Sequence, residues 1–579
     1  MTDSEVVLNW LELFNRALQQ RSKSKMASLF SEDSHWRDLL AFTWSITPMG
    51  GSEAIANVLI SRQLLVEASG FKIATKRTPP RKVVRTNREV IEAIFEFKSS
   101  VGVCYGVVRL LAEQPLKAWM LMTSLDELTG FEEKIYDRRP TGSAYSRNFG
   151  GDNWLDQRIK SQSYIDRDPV VLVVGGGQGG LTIAARLGQI GVDVLVIDKH
   201  ERVGDNWRKR YHSLALHNDI HVNHLPYLPF PPTWPNYLPK DMVADWFETY
   251  CWAMEINFWT NTELIKASYD ESNGLWTAII RQANGVERTL YPRHLIFANG
   301  IVGSPRIPSL PGLDNFKGEV IHSSQFTSGG SWRGKNALVL GAGNSGHDVA
   351  QDLYSNGVNT TLIQRGPTTV ISIEPSAKLV YWIYEGIPLD DGDLLTITNT
   401  LPIVISNLKR LAARMVENDK ELISGLKSRG FKFDIGEDGT GHQMKLRKRY
   451  GGYYLNAGCS DLIVSGDIGL LQYEKIERFI STGVMLDDSS VKPADLLVLA
   501  TGYEPQSVLV SKLLGDEIAN KVGEIWGIAP NGEMNNMWIQ TAQRGLWFVG
   551  GGFPNCRIYS KYVALQIKAI EEGLLTWAN

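Results

Sequence analysis

The run VVLVVGGGQGG, residues 170–180, couples an unbroken apolar segment to three spaced glycines. Val170–Val174 reads as a strand buried on both faces of a parallel sheet, since no polar residue interrupts it. Gly175, Gly177 and Gly180 complete GxGxxG, LTIAARLGQIG continues as an amphipathic helix, and a second apolar run, Val194–Ile197, ends in Asp198. The first glycine permits a tight strand-to-helix turn, the second lets backbone approach a pyrophosphate, and the third lets helix pack on strand. Free N–H groups at the helix start are then aimed at phosphate oxygens. Asp198 stands 18 residues beyond Gly180, the placement expected of a carboxylate that binds a ribose hydroxyl. Gln178 in the loop and Lys199 after the acid are expected beside the same dinucleotide. A glycine-rich turn without a ligand is the alternative, but it gives no reason for strand, glycines, helix, strand and acid to follow in this order.

The pattern recurs 166 residues later. Asn336–Leu340 is mostly apolar, Gly341, Gly343 and Gly346 repeat GxGxxG with Asn344 and Ser345 inside the loop, and the helix HDVAQDLYSNG follows. The next strand, Thr360–Gln364, ends in Gln364-Arg365 instead of an acid. An arginine in place of the carboxylate suits a 2′-phosphate, so the second loop points to NADP(H), with NADH use left open. Arg365 as a solvated loop residue is the plainer alternative. Two fingerprints in one body imply two nucleotides, a flavin held at the first and a nicotinamide at the second, with hydride passing where the rings meet. The expected fold is therefore α/β, with two Rossmann-like domains.

Outward from these loops the chain changes character. Residues 4–19, SEVVLNWLELFNRALQ, place Val7, Trp10, Leu11, Phe14 and Leu18 on one helical face, with Ser4 as the cap. A second helix is expected after FSEDSHWRDLLAFTWSITPMGG, then strands at Lys82–Arg85, Val90–Phe97 and Val103–Leu111. Helices first and sheet later predict an α+β domain over residues 1–130. On FSEDSHWRD and GGSEAI it resembles the cone-shaped NTF2/SnoaL-like group. That resemblance makes His35 and Asp38 candidate acid–base residues, against the plainer reading of a structural or dimer-forming module. Residues 131–168, with RRPTGSAYSRNFGGDNW, read as a linker whose Trp154 and Ile159 are able to dock on the next body. A flavin domain is expected over 169–331 and 499–579, and a nicotinamide domain over 332–498. An amphipathic helical insertion at about 376–450 is read as a lid or subunit contact. The late glycine turn in GLWFVGGGFPNCRIYSKYVALQIKAIEEG is expected to present backbone N–H groups to a flavin ring, with Arg557, Tyr559 and Ser560 on the substrate side.

Composition narrows the partners. Of the 579 residues 43% are hydrophobic and 21% charged, which allows about three globular domains. A net charge of −3 without a basic block argues against nucleic acid. No apolar run reaches the length of a membrane span. The N-terminus lacks a signal-peptide layout, and Cys104, Cys251, Cys459 and Cys556 lie far apart, so a reducing, cytoplasmic setting is expected. His212, His217, His221 and His224 crowd into thirteen residues, but prolines and irregular spacing give no ligand geometry, and no metal is expected.

Through these motifs, residues 169–579 closely resemble the flavin-containing monooxygenases, the class B single-chain flavoproteins. The resemblance rests on GGGQGG with Asp198, GDNWRKRY at 204–211, FKGEVIHSSQF at 316–326, GAGNSGHD at 341–348 and ATGY at 500–503. Phe316, Gly318 and His322 match the family signature, and position 326 is Phe where Baeyer–Villiger enzymes typically carry Trp. The resemblance implies FAD and NADPH as cofactors, Trp207 and Arg208 in the tryptophan motif as flavin contacts, and a small-molecule substrate with O2. It further implies a flavin C4a-(hydro)peroxide, which oxygenates a soft nitrogen or sulfur or inserts oxygen beside a ketone. Such an intermediate requires a dry pocket with a few placed donors. An asparagine after the tryptophan motif is implied near the flavin; Asn218 is the candidate, with Asn206 and Asn223 as competitors. A homodimer is expected, and the front domain matches the longer, type II branch. A disulfide reductase would need paired cysteines beside the flavin, which this chain lacks. A non-enzymatic nucleotide sensor is disfavoured by two intact loops, whereas an NAD(P)H oxidase or quinone reductase stays open.

Overall fold

A computed structural model describes residues 2–142, 145, 147–300 and 303–577. The first dinucleotide unit follows directly from its apolar runs. Val171–Val174 lies at the centre of a five-stranded parallel sheet, in the order 257–259, 194–197, 171–174, 294–297, 546–548. Val171, Leu172 and Val173 are fully buried, as expected of a strand covered on both faces. The helices Gln178–Gln189 and Phe553–Glu571 pack on one another against this sheet.

The second unit is another five-stranded parallel sheet, ordered 319–322, 496–499, 336–340, 359–364, 469–472. Its edge strand, Glu319–His322, precedes the expected boundary at 332, so the second unit begins earlier than the glycine loop suggests. The signature histidine explains the docking of that strand. His322 Nε2 meets the Gly502 carbonyl at 3.0 Å and its Nδ1 meets Ser324 Oγ at 2.9 Å, tying the edge strand to the ATGY turn. The signature glycine is equally structural: a Cβ on Gly318 would lie 2.4 Å from the Phe316 ring and 2.5 Å from the Asp495 carbonyl.

Residues 3–128 form the α+β unit, with three helices on a seven-stranded, mainly antiparallel sheet. The strand Phe30–Leu39 runs parallel to Gln114–Leu128. The first helix begins at Asp3, capped by Thr2 rather than Ser4. Thr2 and Glu5 bond reciprocally, Glu5 N–H to Thr2 Oγ1 at 3.3 Å and Thr2 N–H to Glu5 Oε2 at 2.6 Å. Thr-x-x-Glu is a capping box, and it satisfies two end groups where Ser4 would satisfy one.

The linker carries a helix, Trp154–Ser163. Trp154 docks through an Nε1–H bond to Glu255 (2.7 Å), while Ile159 stays exposed. The insertion is helical, with Leu389–Ile397, Leu401–Asn418, Lys420–Ser428 and Gly441–Arg449 as its α-helices. It fastens the front unit to the body. Leu394, Leu395 and Ile397 of the insertion, with Ile558, Tyr562, Leu565 and Ala569 of the last helix, enter the hydrophobic core of residues 6–128. Thr78 and Arg77 bond Asp391, Arg109 bonds Asn399, and Lys561 pairs with Asp126. Among the described residues, no helix is long and apolar enough to cross a membrane.

Candidate functional site

One continuous cavity of 2140 Å³ receives both glycine loops, the insertion, the segment 524–539 and the start of the last helix. At its first corner, Gly175 has φ +108° and donates its N–H to Ile197 O (2.8 Å). A Cβ on Gly180 would lie 2.0 Å from Gly175 O, so Gly180 is a packing residue and does not itself line the cavity. The helix behind the loop starts at Gln178 with Gly177 as N-cap, and no side chain caps it. Its end N–H groups therefore remain available to an anion. Asp198 Oδ2 accepts the Gly176 N–H (2.7 Å), and Oδ1 accepts the His200 N–H (2.9 Å). Burial works against the Asp198 charge, but the bonds from His200 and Gly176 hold its carboxyl below the ordinary value. It is ionised at neutral pH, with acceptor capacity left for a hydroxyl.

Gln178 bridges the first loop to the late glycine turn, donating Nε2–H to Gly551 O (3.0 Å) and accepting from Trp207 Nε1 (3.4 Å). Gly177, Lys199 and Trp207 line the cavity with it. Arg208 does not. Its guanidinium bonds the Val203 carbonyl, Asp205 and Asp245, which fixes the turn rather than a ligand.

The second corner repeats the construction. Gly341 has φ +123°, a Cβ on Gly346 would lie 1.8 Å from Gly341 O, and the helix Asn344–Ser355 opens on an uncapped Gly343. Ser345 and Gly346 line the cavity, as does Asn344, whose Oδ1 accepts the Leu455 N–H (2.9 Å). Gln364 and Arg365 divide their roles. Gln364 is buried and bonds both backbone groups of Lys432, whereas Arg365 is exposed at the cavity wall.

The late turn gives a third uncapped start, Gly552 before Phe553–Glu571. Of the three residues assigned to the substrate side, only Tyr559 lines the cavity. Arg557 clamps Asp393 through two bonds of 2.8 and 2.7 Å and also bonds the carbonyls of Val222 and His224. Ser560 bonds back to Arg557 O. The three asparagines all face the cavity; Asn223 Nδ2–H donates to Asn218 O (3.2 Å), and Asn206 Nδ2 stands 3.0 Å from where a Gly177 Cβ would sit. Of the clustered histidines, His212 and His221 are exposed and His217 lines the cavity; burial pushes His217 and His224 down to about 4, and His224 Nδ1 accepts the Phe230 N–H.

The front unit reaches this cavity too, through a residue that its sequence did not single out. His35 bonds Thr400, and Asp38 accepts from Phe42, Thr43 and Thr123, so both hold structure away from the cavity. Arg37, between them on the alternating strand, lines it. Its Nε and Nη2 grip Glu533 at 2.8 and 2.6 Å, and Nη1 and Nη2 bond Ile397 O (2.7 Å) and Tyr559 Oη (3.2 Å).

These surroundings fit dinucleotides. Three helix starts lack caps, two glycine cradles leave no room for a Cβ, and buried amide oxygens of Asn223, Asn299 and Gln506 face the cavity without a partner. Orphaned buried acceptors are costly unless a ligand supplies donors.

Comparison with known proteins agrees. Residues 171–522 match the flavin-binding monooxygenase-like family. A probable indole-3-pyruvate monooxygenase, YUCCA9 of Arabidopsis thaliana, is 30% identical over 384 residues, covering 66% of this chain and 83% of that protein. Among solved structures, an ε-caprolactone-bound cyclohexanone monooxygenase aligns at a TM-score of 0.52 with 17% identity, over 70% of this chain and 88% of that one. An NADP⁺-bound mutant of the cyclohexanone monooxygenase of Rhodococcus sp. Phi1 aligns at 0.51, again with 17% identity, over 70% and 87% of the two chains. These solved structures share the fold, and the family match covers more than half of the sequence. The chain belongs to the flavin-binding monooxygenase-like family and is a flavin-dependent monooxygenase.

Proposed function

We propose that this chain uses FAD at the first glycine loop and NADPH at the second to place one atom of O2 on a soft nitrogen or sulfur or beside a ketone carbonyl. The observation that carries the reading is the single cavity joining both loops, which lets two rings meet at one place. FAD held there would supply the redox chemistry, with NADPH as its hydride source and O2 as its oxidant. The protein's own residues orient and shield. Asp198 receives the ribose, the Gly177 and Gly343 helix starts receive the phosphates, and Gln178 locks the first loop to the late turn. Asn218, with Asn206 and Asn223 as alternatives, offers an amide to the reacting end. The insertion and the front unit, read as an NTF2/SnoaL-like module, close the substrate side and exclude water, as Arg37 and Ile397 in the cavity wall suggest.

The similar enzymes act on indole-3-pyruvate and cyclohexanone, both carbonyl compounds, which supports trying ketones first. The test is a balance of NADPH consumed, O2 taken up and peroxide released, with a thioether, an amine and a ketone. Oxygenated product with a matching fall in peroxide supports the reading. Peroxide equal to NADPH with every compound establishes the oxidase alternative instead.

Coenzyme choice gives a second test. Arg365 at the end of the second strand is placed for a 2′-phosphate, and a charge-assisted bond contributes about 1.5–3 kcal/mol. Arg365→Ala is expected to raise KM for NADPH roughly ten- to a hundredfold, with KM for NADH within twofold of the original. Equal effects on both coenzymes would remove Arg365 from phosphate recognition.

A further inference from the structure

The turn that joins the insertion helices Leu389–Ile397 and Leu401–Asn418 faces the cavity, with Ile397, Asn399, Leu401 and Val404 in its wall. The front unit holds that turn. Arg37 Nη1–H donates to Ile397 O (2.7 Å), Arg109 Nη2–H to Leu395 O (3.1 Å) and Arg109 Nη1–H to Asn399 Oδ1 (2.7 Å). Thr400 Oγ1 and His35 Nδ1 meet at 3.1 Å. The two arginines thus satisfy carbonyls at a helix C-terminus, where no intrahelical donor reaches and positive charge is favoured. Arg109 is itself fixed, being only 1% exposed and bonded through Nε–H to Glu92 (2.8 Å).

The bond to Asn399 decides which way that amide points. A guanidinium has donors and no acceptor, so it takes the amide oxygen and turns the Nδ2–H groups away from the front unit. Among the described residues, Asn399 Nδ2 is neither hydrogen-bonded nor sealed in the core, and the residue lines the cavity. Its neighbours on the segment, Ile397, Leu401 and Val404, are apolar, and Arg37 ties Ile397 to Tyr559, whose ring stacks on Trp538 at 6.1 Å. A rigid donor on an apolar wall discriminates, because a ligand without an acceptor leaves it unpaired. We propose that Asn399 is a specificity-determining residue whose Nδ2–H donates to a neutral acceptor on the substrate, with Arg109 of the front unit as the positioning residue that aims it. The inference rests on the monooxygenase reading and gives the front unit a part in choosing the substrate. A carbonyl of the bound dinucleotides is the other source of the same acceptor chemistry, and the experiment separates the two.

The test uses the full chain loaded with FAD and two probes of nearly equal shape, acetophenone and α-methylstyrene, which differ by a carbonyl oxygen against a methylene. Both are titrated by the change in visible flavin absorbance, with NADP⁺ in parallel. The quantity read is the ratio of the two affinities, in which the general apolar pull cancels between proteins. Asn399→Leu removes the donor, and Asn399→Asp removes the donor but keeps an oxygen for Arg109. Each is expected to shift the ratio against the ketone by roughly fivefold or more, the value of one neutral hydrogen bond, and to leave NADP⁺ within about twofold. Arg109→Lys keeps a charge beside Glu92 but loses the fork that holds Leu395 and Asn399 together, and should shift the ratio the same way by about twofold or more. A ratio unmoved by Asn399→Leu overturns the proposal. So does a shift in Asn399→Leu that is absent from Asn399→Asp, since Asn399 is then only a tether for the turn. NADP⁺ weakened as much as the ketone assigns the donor to the dinucleotide, which also overturns it, and a ratio unmoved by Arg109→Lys overturns the positioning role. The ratio needs no turnover, so failure of the NADPH, O2 and peroxide balance counts against the monooxygenase reading while the titrations still judge Asn399.

Discussion

Gly180→Val is expected to give a protein that purifies colourless and takes up flavin at least 100-fold more weakly than the original. The reason is local and steric. A Cβ at Gly180 would stand 2.0 Å from Gly175 O and 3.1 Å from its carbonyl carbon, and those atoms are backbone in the turn that meets the pyrophosphate. Relief requires the helix Gln178–Gln189 to move off the strand Val171–Val174, which takes its uncapped start away from the phosphates. A displacement costing about 3 kcal/mol corresponds to roughly 100-fold in affinity. Gly188, on the same helix, is the control. It is exposed, nothing lies within 4 Å of its Cβ position, and alanine there improves helix propensity by about 1 kcal/mol. Gly188→Ala should keep its full flavin complement, measured as the ratio of flavin to protein absorbance. A yellow Gly180→Val protein would show that the first loop does not hold the flavin.

Features that neighbours in the chain determine are legible in the sequence. Strand, glycine turn and helix lie within twenty residues, and each is a consequence of local sterics and apolar periodicity, so both loops can be read directly from the order of residues. The insertion is readable for the same reason. Contacts between distant segments are not. Glu319–His322 is four residues long and half exposed, and nothing in EVIH says that it will pair with Leu496–Leu499. Arg208 and Arg557 look like ligand-binding residues when only their motifs are considered, yet each is held by carboxylates that approach from elsewhere in the chain.

Arg37 offers the second large effect, because among the described residues it alone carries the front unit into the wall of the cavity by an ion pair. The side chains of Arg37 and Glu533 are only 6% and 14% exposed. Removing one member of such a pair leaves a buried, uncompensated charge, typically a loss of about 3–5 kcal/mol. Arg37→Met is therefore expected to destabilise the folded protein by about 3 kcal/mol, followed by intrinsic fluorescence in denaturant. Because Arg37 also bonds Tyr559 Oη and Ile397 O, the same change should loosen the substrate end and raise the share of NADPH lost as peroxide. The double variant Arg37→Met, Glu533→Gln separates the two consequences. Neutralising the orphaned carboxylate should restore at least half of the lost stability, since the penalty arises from the unpaired charge. The peroxide leak should persist, because neither methionine nor glutamine replaces the bond to Tyr559. A single variant within about 0.5 kcal/mol of the original, or a double variant no more stable than the single one, would mean that the Arg37–Glu533 pair adds nothing to the hold on the front unit. A leak that vanished with the recovered stability would mean that Arg37 supports the fold and does not shape the site.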